Sequence, residues 1–144
     1  MSIASTSRAT PAREAWGLVF ELAFANKARF IAAVGEFGLT PVGAHALRLL
    51  DAGQPLAMSE LADALGCDAS NVTGVVDRLE DRGLVERRPG RDDRRVKTLA
   101  LTPQGREVRQ LVLERMSEPP PEILRLSARE QRELRDLLRR ALGR

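Results

Sequence analysis

The stretch from residue 86 to residue 102, ERRPGRDDRRVKTLALT, is rich in charged side chains and bends at Pro89-Gly90. Guanidinium groups bind phosphate oxygens well, so an arginine-rich turn is typical of a surface that meets a polyanion. Residues 82–97 carry seven Lys or Arg and three Asp or Glu, a net charge of +4, whereas the whole chain has a net charge of +3. This asymmetry is typical of a surface where a polyanion docks, and on charge alone a solvated loop is an equal alternative.

Few other residues could carry catalysis or hold a metal ion. Cys67 is the only cysteine and His45 the only histidine of the 144 residues, so the chain can form neither an internal disulfide nor a multi-ligand Cys/His metal site. The sequence has no Gly-rich phosphate loop, and Asp92 and Asp93 stand among arginines, a setting that does not favour general acid catalysis. We therefore expect no enzyme, no metal and no cofactor.

The overall composition is that of one globular domain. The chain has 43% hydrophobic residues, which is enough for a core at this length. No stretch approaches the ~20 apolar residues of a membrane span, and the sequence MSIASTSRATPARE lacks the apolar centre of a secretory signal. We expect a cytoplasmic protein with no membrane partner.

Four sites have the sequence of a helix start. A Thr-Pro pair combines an N-cap hydroxyl with a proline that the first helical position tolerates, and it occurs at residues 10–11, 40–41 and 102–103. Ser127 has capping-box spacing to Glu130. These signals predict a long first helix over 11–36 and a last helix over 128–142, while prolines 119–121 end the helix that begins at residue 103.

The middle of the chain predicts two short helices joined by a tight turn. Ser59 is the expected N-cap of the first helix, SELADALG, and Asp68 that of the second, ASNVTGVVDRLEDR, which ends before Gly83. In the first helix Leu61, Ala62 and Leu65 face inward. In the second, the positions i, i+3, i+4 and i+7 are apolar: Val72, Val75, Val76 and Leu79. The opposite face is small and polar, as in a helix-turn-helix whose second helix enters a major groove.

A β-hairpin is predicted directly after these helices. LVERR and RVKTLALT flank the turn PGRDDR, and a helix-turn-helix followed by a hairpin is a winged helix. The hairpin tip would lie beside a minor groove, whose negative potential favours arginine. The predicted fold is mainly α with a small β-hairpin wing. Within a single domain of residues 1–144, a core over 40–102 is flanked by helical regions over 11–37 and 103–144.

The segment from Ser59 to Gly105 resembles the DNA-binding core of the MarR family of bacterial transcriptional regulators. The resemblance rests on Leu61-Ala62, on RLEDRGLVERR at residues 78–88, and on D-x-R-x5-L-T-x-x-G, which runs from Asp93 to Gly105. The flanking helices match the family in order and size. The resemblance implies a homodimer, formed by the two flanking regions, that binds palindromic double-stranded DNA as a repressor or activator. It also implies release of the DNA when a small-molecule effector binds or when the protein is oxidised.

The resemblance also assigns roles at the wing. Arg95 is similar to the arginine that reaches the minor groove, and Asp93 to the acid that orients it. From the residues alone, an exposed ion pair between the two is the alternative. The other candidate phosphate contacts of the wing are Arg87, Arg88, Arg91 and Arg94, any of which could instead be solvated.

The second helix of the motif supplies the candidate base contacts. Asn71, Thr73 and Gly74 would face the major groove, where an asparagine amide can pair with adenine. Ser70 could bind a phosphate. Arg78 has two equal interpretations, as a groove contact or as the partner of Asp77, Asp81 or Asp93.

Three features have a structural and a functional interpretation. The family members that sense peroxide resemble one another in a cysteine on the first helix with tyrosines nearby, whereas this chain has no tyrosine and its Cys67 lies between the two short helices. No Lys or His is close in sequence to activate the Cys67 thiol. A structural role is therefore expected rather than a redox role. His45 lies near the position of the family's ligand cleft, where one histidine usually serves packing. The aromatic residues of the first helical region favour a dimer core over a pocket: Trp16, Phe20, Phe24, Phe30 and Phe37.

A winged helix that binds protein, as a scaffold or antirepressor, is the main alternative function. Such a wing would show apolar or acidic anchors in place of RDDRR, and salt would weaken its binding only mildly.

Overall fold

The structure, a computed structural model, describes residues 10–50 and 53–144 and is mostly helical, with one small sheet. It divides into two compact units. One consists of residues 10–28 and 119–144, and the other of residues 29–118. The second unit holds the hydrophobic core and extends beyond both ends of the predicted 40–102 core.

The described part of the chain forms eight helices and three strands. The helices are α1 (Pro11–Ala25), α2 (Lys27–Gly35), α3 (Pro41–Leu49), α4 (Met58–Leu65), α5 (Ala69–Asp81), α6 (Pro103–Met116), α7 (Pro121–Leu124) and α8 (Ala128–Ala141). The strands are β1 (Leu56–Ala57), β2 (Val85–Pro89) and β3 (Lys97–Leu101).

The predicted helix starts at the Thr-Pro pairs are confirmed. The hydroxyls of Thr10, Thr40 and Thr102 accept hydrogen bonds from the backbone N–H three residues later, at 3.4, 3.1 and 2.9 Å. Ser127 and Glu130 form the predicted capping box, in which the Ser127 N–H donates to Glu130 Oε2 at 2.8 Å. Each cap satisfies backbone donors that have no partner within the helix.

The prediction of one continuous helix over residues 11–36 is wrong, because the helix is interrupted at Asn26. The side-chain Nδ2 of Asn26 donates to the carbonyl of Leu22 at 2.9 Å, and the backbone N–H of Asn26 donates to the same carbonyl at 3.3 Å. A side chain that hydrogen-bonds the preceding turn competes with continuation of the helix. The chain therefore ends α1 at Ala25 and restarts at Lys27.

Two smaller predictions also need correction. Helix α4 begins at Met58 with Ala57 as its N-cap residue, so Ser59 lies inside the helix, and the Ala57 N–H donates to Glu60 Oε2 at 3.1 Å. The predicted hairpin is confirmed as β2 and β3, but the antiparallel sheet that contains it has a third strand and the order β1-β3-β2. Strand β1 pairs Leu56 with Leu99 and is too short to show a sequence period.

The apolar face of α5 is buried as predicted. Val72, Val75, Val76 and Leu79 all lie in the core, where Leu61, Leu84 and Leu99 are also fully buried. Full burial of each such side chain contributes about 1.5–3 kcal/mol to the free energy of unfolding. Because this face is fixed against the core, the opposite face of α5 is turned to solvent.

Gly105 brings the start of α6 against the chain segment that leads into β2. The backbone N–H of Thr102 donates to the carbonyl of Leu84 at 3.1 Å, and a Cβ on Gly105 would lie only 1.8 Å from that carbonyl oxygen. Only glycine allows this approach. The contact fixes the base of the β2–β3 hairpin beside α6.

Candidate nucleic-acid interface

The N-terminus of α5 is held by Asp68. Its carboxylate accepts the backbone N–H of Asn71 and the hydroxyl of Ser70, both at 2.9 Å. The Asn71 N–H first, and then the Ser70 hydroxyl, lower the pKa of Asp68 because both stabilise the charged form. The predicted N-cap is confirmed, and in the free protein the Ser70 hydroxyl is occupied by Asp68.

The outer face of α5 presents small and polar groups to solvent. Asn71 is exposed, and its side-chain amide has no hydrogen-bond partner among the described residues. Thr73 is exposed and donates its hydroxyl proton to the carbonyl of Ala69 at 2.8 Å. A Cβ on Gly74 would meet no atom within 4 Å, so the packing of the free protein does not require a glycine there.

Arg78 is exposed on the same helix. Within residues 10–50 and 53–144 it forms no salt bridge, so the ion pairs considered for it from the sequence are not made in this part of the chain. Its guanidinium is available to a ligand.

The turn between β2 and β3, residues 90–96, is the wing turn. Gly90 N–H donates to Val96 O at 2.7 Å, and Val96 N–H donates to Asp93 O at 3.1 Å. A Cβ on Gly90 would lie 2.5 Å from the carbonyl oxygen of Asp93, so this tight closure requires glycine. The Asp93 carboxylate accepts the backbone N–H of Arg95 at 2.9 Å. Asp93 thus orders the main chain at Arg95.

The five wing arginines fall into three groups. Arg91, Arg94 and Arg95 are exposed, and their guanidinium groups have no salt-bridge partner in the described part of the chain. Arg88 pairs with Glu86 on its own strand, and both side chains stay about half exposed.

Arg87 forms the third group, because two acids of α5 bind its guanidinium. Its Nη1 donates to Glu80 Oε1 at 2.7 Å and its Nη2 to Asp77 Oδ1 at 2.5 Å. The hydrogen bond to Asp77 is the main cause that raises the pKa of Arg87. The sequence did not indicate that Arg87 pairs with Asp77 and Glu80. These acids lie ten and seven residues before it on another element, and no sequence pattern assigns them to one of the several arginines of this segment.

A cavity of about 510 Å³ lies beside α3, within the unit of residues 29–118. His45 lines it, and its Nε2 lies 2.8 Å from Arg48 Nη2. Burial, and then the charge of Arg48, lower the pKa of His45. Because a guanidinium can only donate, the His45 ring accepts the hydrogen bond from Arg48 at Nε2. The remaining lining residues are mostly apolar: Phe30, Pro41, Val42, Leu65 and Met116.

Cys67 lies in the turn between α4 and α5. It is half-buried against the core, and its Sγ lies 3.6 Å from the carbonyl oxygen of Leu65. Among the described residues, no group of three or more His, Cys, Asp or Glu is placed to hold a metal ion. In the same ranges, no helix has the length and apolar character to cross a membrane.

Comparison with known proteins shows that this chain is similar to transcriptional regulators. The sequence profile of the MarR family matches residues 39–97. The transcriptional repressor MprA of Escherichia coli is 47% identical over 55 residues, which make up 38% of this chain and 31% of MprA. The matched segments span less than half the length of the first curated relatives.

Two further relatives match over most of their length. The uncharacterized HTH-type transcriptional regulator YcgE of Bacillus subtilis is 32% identical over 104 residues, 72% of this chain and 67% of YcgE. The structure of transcriptional regulator Tm0710 from Thermotoga maritima has a TM-score of 0.69 and 30% identity, covering 91% of this chain and 93% of that one. This chain therefore belongs to the MarR family of transcriptional regulators.

Proposed function

We propose that the protein acts as a homodimeric repressor that binds an inverted-repeat DNA duplex and responds to a small-molecule effector. The observation that carries the proposal is the pairing, on one compact unit, of an exposed polar face of α5 with a wing turn whose three arginines have no salt-bridge partner among the described residues. Besides these arginines, the Asn71 amide and the Arg78 guanidinium on α5 have no side-chain partner among the described residues, and both surfaces have the chemistry of a DNA contact.

Helix α5 is the proposed recognition helix. Asn71 would pair with adenine through its free amide, while Thr73 and Gly74 would allow the helix to lie close to the base edges. Ser70 would bind a phosphate by exchanging its present partner Asp68. Arg78, exposed on the same helix, would reach the groove or its backbone.

The wing supplies the second proposed contact. Arg95 would enter the minor groove, and the hydrogen bond from its backbone to Asp93 would fix the direction from which it enters. Arg88, Arg91 and Arg94 would bind phosphates. Their binding would release counterions and make affinity depend strongly on salt.

The proposed effector would occupy the cavity beside α3. Its volume of about 510 Å³ lies within the range of small-molecule pockets, and its walls are mostly apolar with one polar pair, His45 and Arg48. A ligand that binds one arrangement of this unit more tightly than another would shift the population toward that arrangement. The free energy of DNA binding would change by no more than the difference between the ligand's two binding free energies.

Selection from a pool of random duplexes with the purified protein tests the proposal. We expect recovery of an inverted repeat whose half-sites lie about one helical turn (~10 bp) apart, and a footprint on one face of the duplex. The selected duplex should bind about a thousandfold more tightly than a scrambled one at physiological salt. Equal affinity for the two, with little salt dependence, would instead favour a protein-binding winged helix.

A further inference from the structure

Both terminal nitrogens of the Arg87 guanidinium are already paired inside the protein. Nη1 bonds Glu80 and Nη2 bonds Asp77, and the side chain is 25% exposed against 53% for its neighbour Arg88. Two acids face one arginine, so the cluster has a formal charge of −1 and repels a phosphate. These observations argue against a phosphate contact for Arg87.

Glu80 holds the main chain of β2 as well as the arginine. Strand β2 is an edge strand, since the sheet order is β1-β3-β2. The backbone N–H of Arg87 donates to Glu80 Oε2 at 2.9 Å. One helix carboxylate thus covers an edge donor that the sheet leaves unpaired and binds the side chain of the same residue.

The cluster lies between the two proposed DNA contacts. Asp77 and Glu80 belong to the C-terminal half of α5, whose N-terminal half carries Asn71 and Thr73. Arg87 is on the strand that leads into the wing turn and Arg95. In the described chain, β2 and α5 are also in direct contact.

We propose that Arg87 is a positioning residue, which through Asp77 and Glu80 fixes the wing relative to α5 so that both reach neighbouring grooves of one duplex. The inference rests on the proposed DNA-binding function. Without the link, the wing samples more orientations in the free protein, and binding must pay the entropy of ordering it. Affinity then falls although no contact to DNA is removed.

Affinities of three variants for the duplex selected by the native protein test the proposal. We expect Arg87→Met and Glu80→Ala each to weaken binding about tenfold, the effect of one charge-assisted hydrogen bond, with no change in the salt dependence. Asp81→Ala is the matched control, because it removes one acid from the same helix and Asp81 has no salt-bridge partner in the described chain. It should bind DNA as tightly as the native protein, or more tightly.

The result for Glu80→Ala is the discriminating one, since simple electrostatics predicts that loss of an acid strengthens DNA binding. Tighter binding by Glu80→Ala, together with a salt slope for Arg87→Met that is shallower by about one, would make Arg87 a phosphate contact and overturn the proposal. The double variant should lose more affinity than either single variant but less than the sum of the two losses, because the bond between the Arg87 side chain and Glu80 is removed in both single variants. Fully additive losses would also overturn it.

Amide hydrogen exchange of residues 85–88 in the free proteins gives a measurement that needs no DNA. Exchange should be faster in Arg87→Met and Glu80→Ala than in Asp81→Ala, at a temperature where thermal melts show all three folded. Unchanged exchange overturns the link itself, and faster exchange with normal DNA affinity overturns the positioning role alone. If exchange is faster but the native protein prefers no duplex, the proposed function is wrong and the positioning role falls with it.

Discussion

At the scale of single residues, the fold separates side chains that hold the protein together from side chains left for a ligand. Arg87 and Arg95 are both arginines of the same wing, but one is bound by two acids and the other has no salt-bridge partner among the described residues. The sequence predicted that arginines of this segment would be surface groups. It could not separate the two, because the partner acids lie on a different element.

Gly74 permits a test in which stability and binding should change in opposite directions. A Cβ at this position meets no atom within 4 Å, so Gly74→Ala should stabilise α5 by up to about 1 kcal/mol. If the helix lies in the major groove, the added methyl group should cost binding roughly 1 to 2 kcal/mol by overpacking a close contact. Thermal melts and operator titrations measure the two effects.

Gly35→Ala is the control for this variant, because Gly35 lies in the same compact unit and also has open space at its Cβ. Its DNA affinity should equal that of the native protein. If Gly74→Ala binds DNA as well as Gly35→Ala does, the outer face of α5 does not enter a groove at this position.

At the scale of elements, most helix caps could be predicted from the sequence, because the cap and its partner are close in sequence. The caps at Thr40, Thr102 and Asp68 depend on a partner three residues away, and all three form. Strand β1 was missed because its existence depends on pairing between Leu56 and Leu99, which no local pattern reports. The break at Asn26 was missed because asparagine inside a helix is common and only its hydrogen bond to Leu22 ends the turn.

Removal of one charged side chain, Arg95, tests whether the wing turn contacts DNA. Arg95→Ala removes an exposed side chain that has no salt bridge in the described structure, so the melting temperature should not change. Operator binding should weaken by about 1 to 3 kcal/mol, and the salt slope should become shallower by about one, since fewer counterions are released. Titrations at two salt concentrations beside thermal melts provide both quantities.

Arg132→Ala on α8 is the charge-matched control for the wing variant, since Arg132 is also exposed and has no salt bridge among the described residues. Long-range electrostatics would affect both variants alike. Equal losses of affinity, or a clearly lower melting temperature for Arg95→Ala, would show that Arg95 is a diffuse or structural charge.

At the scale of the whole molecule, the two compact units differ in what they leave uncovered. In the unit of residues 29–118 the described core is built from buried aliphatic side chains. The terminal unit has no buried residue in α1 or α8, and it exposes a large set of apolar side chains: Trp16, Leu18, Val19, Phe20, Phe24, Leu124, Leu137, Leu138 and Leu142. Exposed apolar side chains in such number are typical of a surface that a partner chain covers.

The extent of this surface leads to the prediction of a dimer. Trp16, Phe20 and Phe24 are 68%, 56% and 60% exposed, and the Phe20 and Phe24 rings lie 5.2 Å apart as one aromatic patch. A second copy of the chain would cover it. Light scattering at micromolar concentration should therefore give a mass of about twice 15.9 kDa, and dilution should lower the melting temperature because folding and association are linked.

A charge placed in the patch is the decisive variant. Phe20→Glu would bury a carboxylate in the interface, and the cost of its desolvation should shift the protein to monomers, folded or unfolded, at concentrations where the native chain is dimeric. Val96→Glu is the control, because Val96 is an exposed apolar residue of the wing turn and lies in the other unit. It should stay dimeric. A native protein that scatters as a 15.9 kDa particle, or a Phe20→Glu variant as dimeric as Val96→Glu, would show that the aromatic patch of α1 is not the dimer interface.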